Sequence, residues 1–250
     1  MMKRVFILLF FICLASCDSD SAWDCIKTEG TIVQEEITLP GFIKIETGKG
    51  VQLIIRQGNE QKVILETGEN LRNDVKIYVQ DSILYAEETF SCNFVRDYAV
   101  TKVYVTSPNI TQIRNGSAFS VESNGVLSYP NLSLFSEDSG VQGDIYTIGD
   151  FRLQLEVENL NIVSNNFSNY YITGLAEKAS IGFYSGNGRF EGKNFIVQEL
   201  NIYQRSSNKM FVNPQQSIKG QIRGIGDVIS YNHPPVVEVV EHYTGRLIFQ

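Results

Sequence analysis

A repeat of about 20 residues in the second half of the chain limits its possible folds more than any other feature of the sequence. Short apolar pairs recur there, and the last residues of successive pairs are 21, 21, 26, 21 and 20 positions apart. Small or polar residues suited to turns follow most of these pairs closely. Such a period is typical of a solenoid, in which each coil covers the apolar face of the coil before it. The pairs are Ile110/Ile113, Leu132/Leu134, Leu153/Leu155, Ala179/Ile181, Leu200/Ile202 and Ile218/Ile222.

Apolar and polar residues alternate in many segments between turns, as in 75–80 and 102–106. This period of two is typical of strands with one buried face, and no apolar stripe with a helical period continues for ten residues. The chain is therefore predicted to be all-β, and its steps favour a single-stranded right-handed parallel β-helix with N- and C-terminal capping strands. A large β-sandwich remains the alternative, because two hairpin strands also give a step of about 20 residues.

The same steps predict which residues stack on one another. One residue of each coil should occupy the same inward position, one interstrand distance from its neighbour. The longer step of 26 residues predicts an extra loop within Ser164–Lys178, around Tyr170. The segments 31–33 and 234–249 are predicted to cover the two open ends of the solenoid. The expected inward column is Ile113, Leu134, Leu155, Ile181, Ile202 and Ile222.

The first residues of the chain have the pattern of an export signal. Two basic residues precede an apolar run at 5–15, which is about half the length that a membrane-spanning helix needs. The run ends in Leu-Ala-Ser-Cys, which resembles a bacterial lipobox and predicts that Cys17 is lipidated. The expected location is the cell envelope, as an outer-membrane lipoprotein that is periplasmic or surface-exposed; a retained anchor helix is the alternative. The predicted division is a signal peptide at 1–16, a lipidated tether at 17–24 and a domain at 25–250.

The remaining cysteines and the charge restrict the chemistry. Export to an oxidising compartment leaves Cys25 and Cys92 as an even pair, which predicts a disulfide between them; two unrelated buried thiols are the alternative. The 21 basic and 28 acidic residues give a net charge of −7, which argues against binding to nucleic acid. Neither His233 nor His242 has a ligand partner at a recognisable metal-site spacing, so no metal or cofactor is expected.

Six segments of the chain share their order and spacing with a known family. They are Asp24–Lys27 with Gly30, Leu39–Ile45, Gly50–Gly58, Glu69–Leu71 with Val75–Ile77, Ser91–Arg96 and Gly224–Tyr231. In these segments the chain resembles the head GIN domain family of putative autotransporter adhesins, which includes lipoproteins of the Bacteroidetes type. The resemblance covers about residues 24–250, although the middle coils have few of the family's Ser-Gly turns. It implies a β-helical cell-surface lipoprotein without an established biochemical activity.

Candidate functional residues are few. The acidic residues do not recur at equivalent positions of successive coils. The sequence also contains neither the Ser, His and Asp pattern of a nucleophile with its base nor a phosphate-binding loop, so no catalytic residue is predicted. Aromatic residues lie at or near successive coils, where outward-facing rings would stack on sugars; packing in the interior is the alternative. The candidate binding surface is Tyr170, Tyr171, Tyr184 and Tyr203.

The sequence therefore favours a noncatalytic protein, held at a membrane by its lipid, that serves in adhesion or binds an envelope protein or a glycan. Two other functions remain open: a carbohydrate-active β-helix enzyme, such as a polysaccharide lyase or glycosidase, and a purely structural envelope component. An acid–base cluster in a groove would favour the enzyme, and an exposed aromatic stripe would favour binding.

Overall fold

The computed structural model describes residues 27–89, 101–138 and 145–250. The predicted signal peptide, the lipidation site Cys17 and both cysteines of the predicted disulfide, Cys25 and Cys92, lie outside these residues. In the described part of the chain, one 3₁₀ helix at Glu69–Asp74 accompanies 17 strands, which confirms the all-β prediction. The strands are β1 (Ile32–Glu36), β2 (Lys44–Thr47), β3 (Gln52–Gln57), β4 (Lys62–Gly68), β5 (Val75–Gln80), β6 (Ile83–Glu88), β7 (Lys102–Ser107), β8 (Gln112–Asn115), β9 (Val121–Leu127), β10 (Asn131–Ser136), β11 (Phe151–Ser164), β12 (Tyr170–Phe183), β13 (Phe190–Gln204), β14 (Met210–Ile222), β15 (Val228–Ser230), β16 (Val236–Glu241) and β17 (Leu247–Phe249).

These strands belong to one sheet that contains two ladders, joined where the long strands β11–β14 pass from one ladder to the other. Ladder A runs in the order β6, β2, β8, β10, the C-terminal halves of β11–β14, and β16. Ladder B runs in the order β4, β7, β3, β9, the N-terminal halves of β11–β14, β15 and β17. Among the described strands, only the β1–β4, β4–β7 and β5–β6 pairs are antiparallel.

The sheet is strongly curled, because its long strands are joined by short connections. Strand β12 begins beside the beginning of β11, although β11 is 14 residues long and only residues 165–169 connect the two. A straight strand of that length would extend about 46 Å, whereas such a short turn spans about 20 Å at most. The strand must therefore bend until its end lies near its start. The same reasoning applies to β12, β13 and β14, and the curl encloses an apolar interior.

Alternate side chains of ladder A fill that interior. The central column contains one Ile or Leu from each of seven successive strands, each aligned with the next, and none is more than 2% exposed. Burying a side chain of this kind contributes roughly 1.5–3 kcal/mol relative to leaving it in water. The column is Leu84, Ile45, Ile113, Leu134, Ile162, Ile181 and Ile202.

The six residues that the sequence predicted as one column are all buried, but two of them belong to other rows. Leu155 lies in ladder B, where it aligns with Leu127 and Gly174, and Ile162 takes its predicted place. Ile222 aligns with Gln204, whereas Gly220 follows Ile202 in the column. The prediction was wrong at Leu155 because β11 carries apolar residues for both ladders, and its first pair belongs to ladder B. It was wrong at Ile222 because β14 has a glycine at the position of the column, and Ile222 lies two residues further along the strand.

The predicted extra loop is also in a different place. The turn within Ser164–Lys178 is short, residues 165–169, and Tyr170 begins strand β12 rather than a projecting loop. The segment between β10 and β11 is residues 137–150, of which residues 139–144 lie outside the described structure. The step from Leu134 to Ile162 is 28 residues, and that is where the additional length enters.

The ends of the sheet differ from one another. At the N-terminal end, β1 pairs antiparallel with β4 and so covers its edge, as predicted for the segment 31–33. At the C-terminal end, β16 and β17 continue the ladders by parallel pairing with β14 and β15. The segment 234–249 therefore extends the ladders instead of closing them, and the side chain of Val240 is 54% exposed.

Candidate functional site

The four tyrosines predicted as one binding surface do not lie together. Tyr170 points into the interior of ladder B, where it is fully buried and stacks on Phe151 with ring centroids 4.8 Å apart. Burial raises the pKa of its phenol. Its hydroxyl, like that of nearby Ser164, makes no well-formed hydrogen bond in the described structure, although Ser164 opposes part of the rise in the pKa. Tyr170 therefore contributes to the core and cannot contact a ligand at the surface.

Tyr171 lies on the opposite side of the same strand, as the alternation of a strand requires. It is half-buried on the outer face of ladder B. The guanidinium of Arg152 lies 4.1 Å from the centroid of its ring, so a cation–π contact already covers one ring face. Tyr171 therefore belongs to ladder B, whereas the other two tyrosines belong to ladder A.

Tyr184 and Tyr203 are neighbours on the outer face of ladder A. Their rings stack with centroids 4.9 Å apart, and the side chain of Tyr184 is 47% exposed. Tyr184 follows the end of β12 and folds back over Gly182, which is aligned with Tyr203 on the next strand. These two residues are the part of the predicted surface that the structure brings together.

The tyrosine pair continues an aligned row across ladder A, which we call the aromatic ridge. The ridge consists of Phe135, Val163, Tyr184 and Tyr203, with Tyr184 occupying the position above Gly182. At one end, the guanidinium of Arg114 lies 5.2 Å from the ring centroid of Phe135. The ridge is therefore a mostly apolar strip on the outer face of ladder A.

Arg114 also joins two carboxylates at that end of the ridge. Its Nη2 atom lies 3.1 Å from Oε1 of Glu137, and its Nε atom lies 3.9 Å from Oε2 of Glu46. Burial raises the pKa of Glu46, and the charge of Arg114 opposes that effect. Because one guanidinium holds both carboxylates, the arrangement favours a structural ion-pair network over an acid and a base that face a substrate.

A groove of about 610 Å³ lies beside the ridge and crosses strands β10–β14 of ladder A. Buried residues such as Leu132 and Leu160 line it between the two rows of outward side chains. Two aligned rows of outward side chains form its walls. The first row is Asn131, Asn159, Lys178, Glu199 and Ser217, and the second row is Ser133, Asn161, Ser180, Asn201 and Lys219.

Most side chains of the groove are neutral and polar, and those of the second row are largely unpaired. In the first row, Asn159 donates a hydrogen bond of 2.9 Å to Asn131. The side chains of Asn161, Ser180 and Asn201 make no hydrogen bond to any described residue, whereas many other asparagines of the surface, including Asn165, do. The second row thus presents free donors and acceptors to the groove.

The charged residues of the groove are compensated locally. Lys178 and Glu199 lie opposite each other with Nζ and Oε2 3.8 Å apart. Lys219 forms an ion pair of 3.2 Å with Glu238, just outside the groove. The groove therefore carries little net charge, in contrast to the acidic chain as a whole.

Sequence reasoning missed this groove, although a signal for it is present. A triplet of a polar residue, a buried residue and a polar residue recurs on five strands, as in Asn131-Leu132-Ser133 and Glu199-Leu200-Asn201. The apolar centres of some triplets were recognised, but their polar neighbours were not treated as aligned rows. The concave shape depends on the bend of the long strands, and alternation alone does not encode that bend.

Within residues 27–89, 101–138 and 145–250, no group of three or more His, Cys, Asp and Glu side chains is placed to hold a metal ion. No helix in the same residues is long and apolar enough to cross a bilayer.

Comparison with known proteins identifies one family and several similar folds. A sequence model of the family described as "Putative auto-transporter adhesin, head GIN domain" matches residues 41–234. A putative adhesin from Bacteroides fragilis has a TM-score of 0.78 at 18% identity, over 89% of this chain and 99% of that chain. A putative lipid binding protein from Parabacteroides distasonis has a TM-score of 0.62 at 13% identity, over 88% of this chain and 97% of that chain.

A third similar structure is a putative adhesin from Parabacteroides merdae, with a TM-score of 0.60 at 17% identity, over 90% of this chain and 99% of that chain. At these identities the similarity establishes a shared fold. No curated protein matches the chain.

Proposed function

This chain belongs to the head GIN domain family of putative auto-transporter adhesins, and from that premise we propose that it is a noncatalytic, lipid-anchored cell-surface protein that binds a partner. The observation that carries the proposal is the open groove on ladder A, which lies on a tightly paired sheet and carries unpaired polar side chains. Rigid surfaces with convergent polar groups are suited to binding without reorganisation.

The anchor is proposed from the sequence of the first 17 residues. A lipobox-like ending at Cys17 supports diacylation, and several acyl chains hold a protein at a membrane more firmly than one. The outer membrane is the proposed site, with the domain facing away from it. The similar protein from Parabacteroides distasonis is described as lipid binding. The walls of the groove in this chain are polar, so we expect a polar partner there rather than an acyl chain.

We further propose that the curled sheet is a right-handed parallel β-helix. Support comes from the aligned parallel strands β11–β14, whose starting residues follow one another by 19, 20 and 20 positions. Connections between parallel strands of one sheet are right-handed in about 98% of cases, which supports the hand of the winding. Such a rod would hold the groove at a fixed distance and orientation from the tethered end.

The proposal is tested on cells that produce the full chain, with Cys17→Ala as the matched variant. The wild-type protein should fractionate with membranes and be degraded by protease added to intact cells, whereas Cys17→Ala protein should remain an unlipidated precursor that this protease does not reach. The cells should also adhere to at least one of three surfaces, coated with mucin, with extracellular matrix or with a layer of the same cells. A wild-type protein that is displayed but supports no adhesion contradicts the binding role.

Absence of catalysis is tested separately. The purified full chain in detergent should release neither reducing ends nor unsaturated uronates from polygalacturonate, xylan or galactomannan. Sustained release of either product by the wild-type chain would contradict the noncatalytic proposal and favour a carbohydrate-active enzyme.

A further inference from the structure

We propose that the groove on ladder A binds one neutral polysaccharide chain, which lies across strands β10–β14 with sugar rings against Tyr184 and Tyr203. This inference rests on the proposed binding function and assigns it a place and a ligand class. It combines the shape of the groove, the hydrogen-bonding state of its second row, its charge and the adjacent aromatic ridge.

The shape of the groove suits a long periodic ligand. Neighbouring strands of a sheet lie about 4.8 Å apart, so the five strands of the groove extend over about 19 Å. Each strand contributes one side chain to each wall at the same height. A linear polymer of sugars lying across the strands would meet two outward side chains, one from each wall, on every strand that it crosses.

The chemistry of the second row suits hydroxyl groups. Serine hydroxyls and asparagine amides each offer both a donor and an acceptor, as sugar hydroxyls do. The side chains of Asn161, Ser180 and Asn201 have no hydrogen-bond partner in the described structure, so binding would not have to break existing bonds of these groups. A sugar hydroxyl that binds to these groups would replace only bound water.

The charge of the groove separates neutral from charged polymers. Lys178 is opposite Glu199, and Lys219 is paired with Glu238, so a carboxylate or sulfate that approached either lysine would also meet the negative charge of its partner. The whole chain is acidic, with a net charge of −7, which disfavours an anionic polymer further. A neutral polysaccharide is subject to neither of these repulsions.

The aromatic ridge supplies the apolar contact that sugar rings require. Asn201 and Tyr203 are two residues apart on one strand, so both point outward, about 7 Å apart along it. Tyr184 stacks beside Tyr203 and leaves nearly half of its side chain exposed. A sugar bound by Asn201 would thus lie within reach of an aromatic ring on which its C–H face can pack.

A peptide fits this face less well. An extended peptide binds a sheet mainly through the free backbone groups of an edge strand. Strands β11–β14 are each paired on both sides at the groove, and β10 is paired with β11 from Asn131 and with β8 from Ser133, so most of their backbone groups are already bonded. Only side chains are available, and these are the short hydroxyl and amide groups already described.

The test measures binding of the purified full chain in detergent to immobilised laminarin, galactomannan and arabinoxylan, with polygalacturonate and heparin as charged comparisons. At least one neutral polymer should bind, and Ser180→Trp, which fills the groove from an exposed position, should weaken that binding at least tenfold. The double variant Asn161→Ala/Asn201→Ala should have a similar effect. Asn194→Ala is the matched control, because Asn194 is an exposed asparagine on the same strand as Asn201 but outside the groove.

The outcomes separate this inference from the proposed function. Binding by none of the neutral polymers, preferential binding of the charged ones, or binding that survives Ser180→Trp overturns the groove assignment. If cells carrying Ser180→Trp still adhere to the test surfaces, the binding function stands and its site is elsewhere. If adhesion to mucin is lost after protease treatment of the mucin but not after periodate oxidation of its sugars, the partner is a protein and the glycan class is wrong.

Discussion

Tyr184 lies over Gly182 so closely that a Cβ atom on Gly182 would come within 2.6 Å of the tyrosine ring. The absence of a side chain at position 182 lets a residue from the end of β12 fold back into the row between Val163 and Tyr203. One glycine therefore determines whether the aromatic ridge beside the groove is continuous.

Gly182→Ala is expected to displace the Tyr184 ring and break its stacking on Tyr203 while leaving the fold intact. The contact is with the far end of a flexible, exposed side chain, and stacking of this kind contributes about 1 kcal/mol. The free energy of unfolding in urea should thus fall by about 1 kcal/mol or less, whereas the near-ultraviolet tyrosine signal should change. Binding of the neutral polymer should weaken in parallel. An unchanged tyrosine spectrum would contradict this role of Gly182.

Gly174→Ala is the contrasting variant. Its φ of +106° is unfavourable for alanine, and the new Cβ would lie 2.0 Å from the carbonyl oxygen of Leu155. A loss of more than about 1 kcal/mol is expected for this variant, with no selective change at the ridge.

The central column predicts a large cost for Ile162→Ala. Ile162 is fully buried between Leu134 and Ile181, and the coils on either side cannot easily close the resulting cavity. The free energy of unfolding should fall by about 2–5 kcal/mol. Val163→Ala on the outer face of the same strand is the control and should cost much less. Equal losses for the two variants would mean that the inward and outward positions of β11 have been exchanged.

Particular residues show how far the sequence predicts this structure. Alternation and the 20-residue steps are sufficient for an all-β chain and for the burial of Leu134, Ile181 and Ile202. They fail at Leu155, because β11 contains one apolar pair for each ladder and the two pairs look alike in the sequence. Periodicity does not show where the strand bends from one ladder to the other. The same limit applies to the site: alternation requires Tyr170 and Tyr171 to face opposite sides, yet only the three-dimensional register brings Tyr184 next to Tyr203.

Tyr170→Phe is expected to leave stability unchanged or to increase it by about 1 kcal/mol. The substitution keeps the ring that stacks on Phe151 and removes a buried hydroxyl that has no hydrogen-bond partner in the described structure. Tyr129→Phe is the matched control, because the buried hydroxyl of Tyr129 donates a 3.2 Å hydrogen bond to the carbonyl oxygen of Ser107. Urea unfolding should rank the Tyr129 variant as the less stable of the two. A clear loss on Tyr170→Phe would reveal a partner for that hydroxyl.

The two buried tyrosines also predict unfolding in alkali. Burial raises the pKa of Tyr129 from 10.0 to about 12 and raises the pKa of Tyr170 as well. A pKa that is higher in the folded than in the unfolded chain contributes stability below pH 10, and this contribution is lost as the pH rises from 10 towards 12. Absorbance at 295 nm should therefore include a cooperative step that coincides with the loss of circular dichroism. Full ionisation of every tyrosine while the fold persists would contradict the assignment.

The disulfide between Cys25 and Cys92 stays a prediction, because both cysteines lie outside the described residues; a described residue near each of them in sequence contacts Asp74. Lys27, two residues after Cys25, places its Nζ atom 2.5 Å from Oδ2 of Asp74, and Thr89, three residues before Cys92, donates its backbone N–H to the Asp74 carbonyl oxygen at 2.7 Å. Nonreducing peptide mapping of the exported protein should recover the linked pair, and Cys25→Ser/Cys92→Ser should lower the free energy of unfolding by up to about 4 kcal/mol, as expected for a loop of this length. Recovery of both cysteines as free thiols from protein exported under oxidising conditions would refute the bridge.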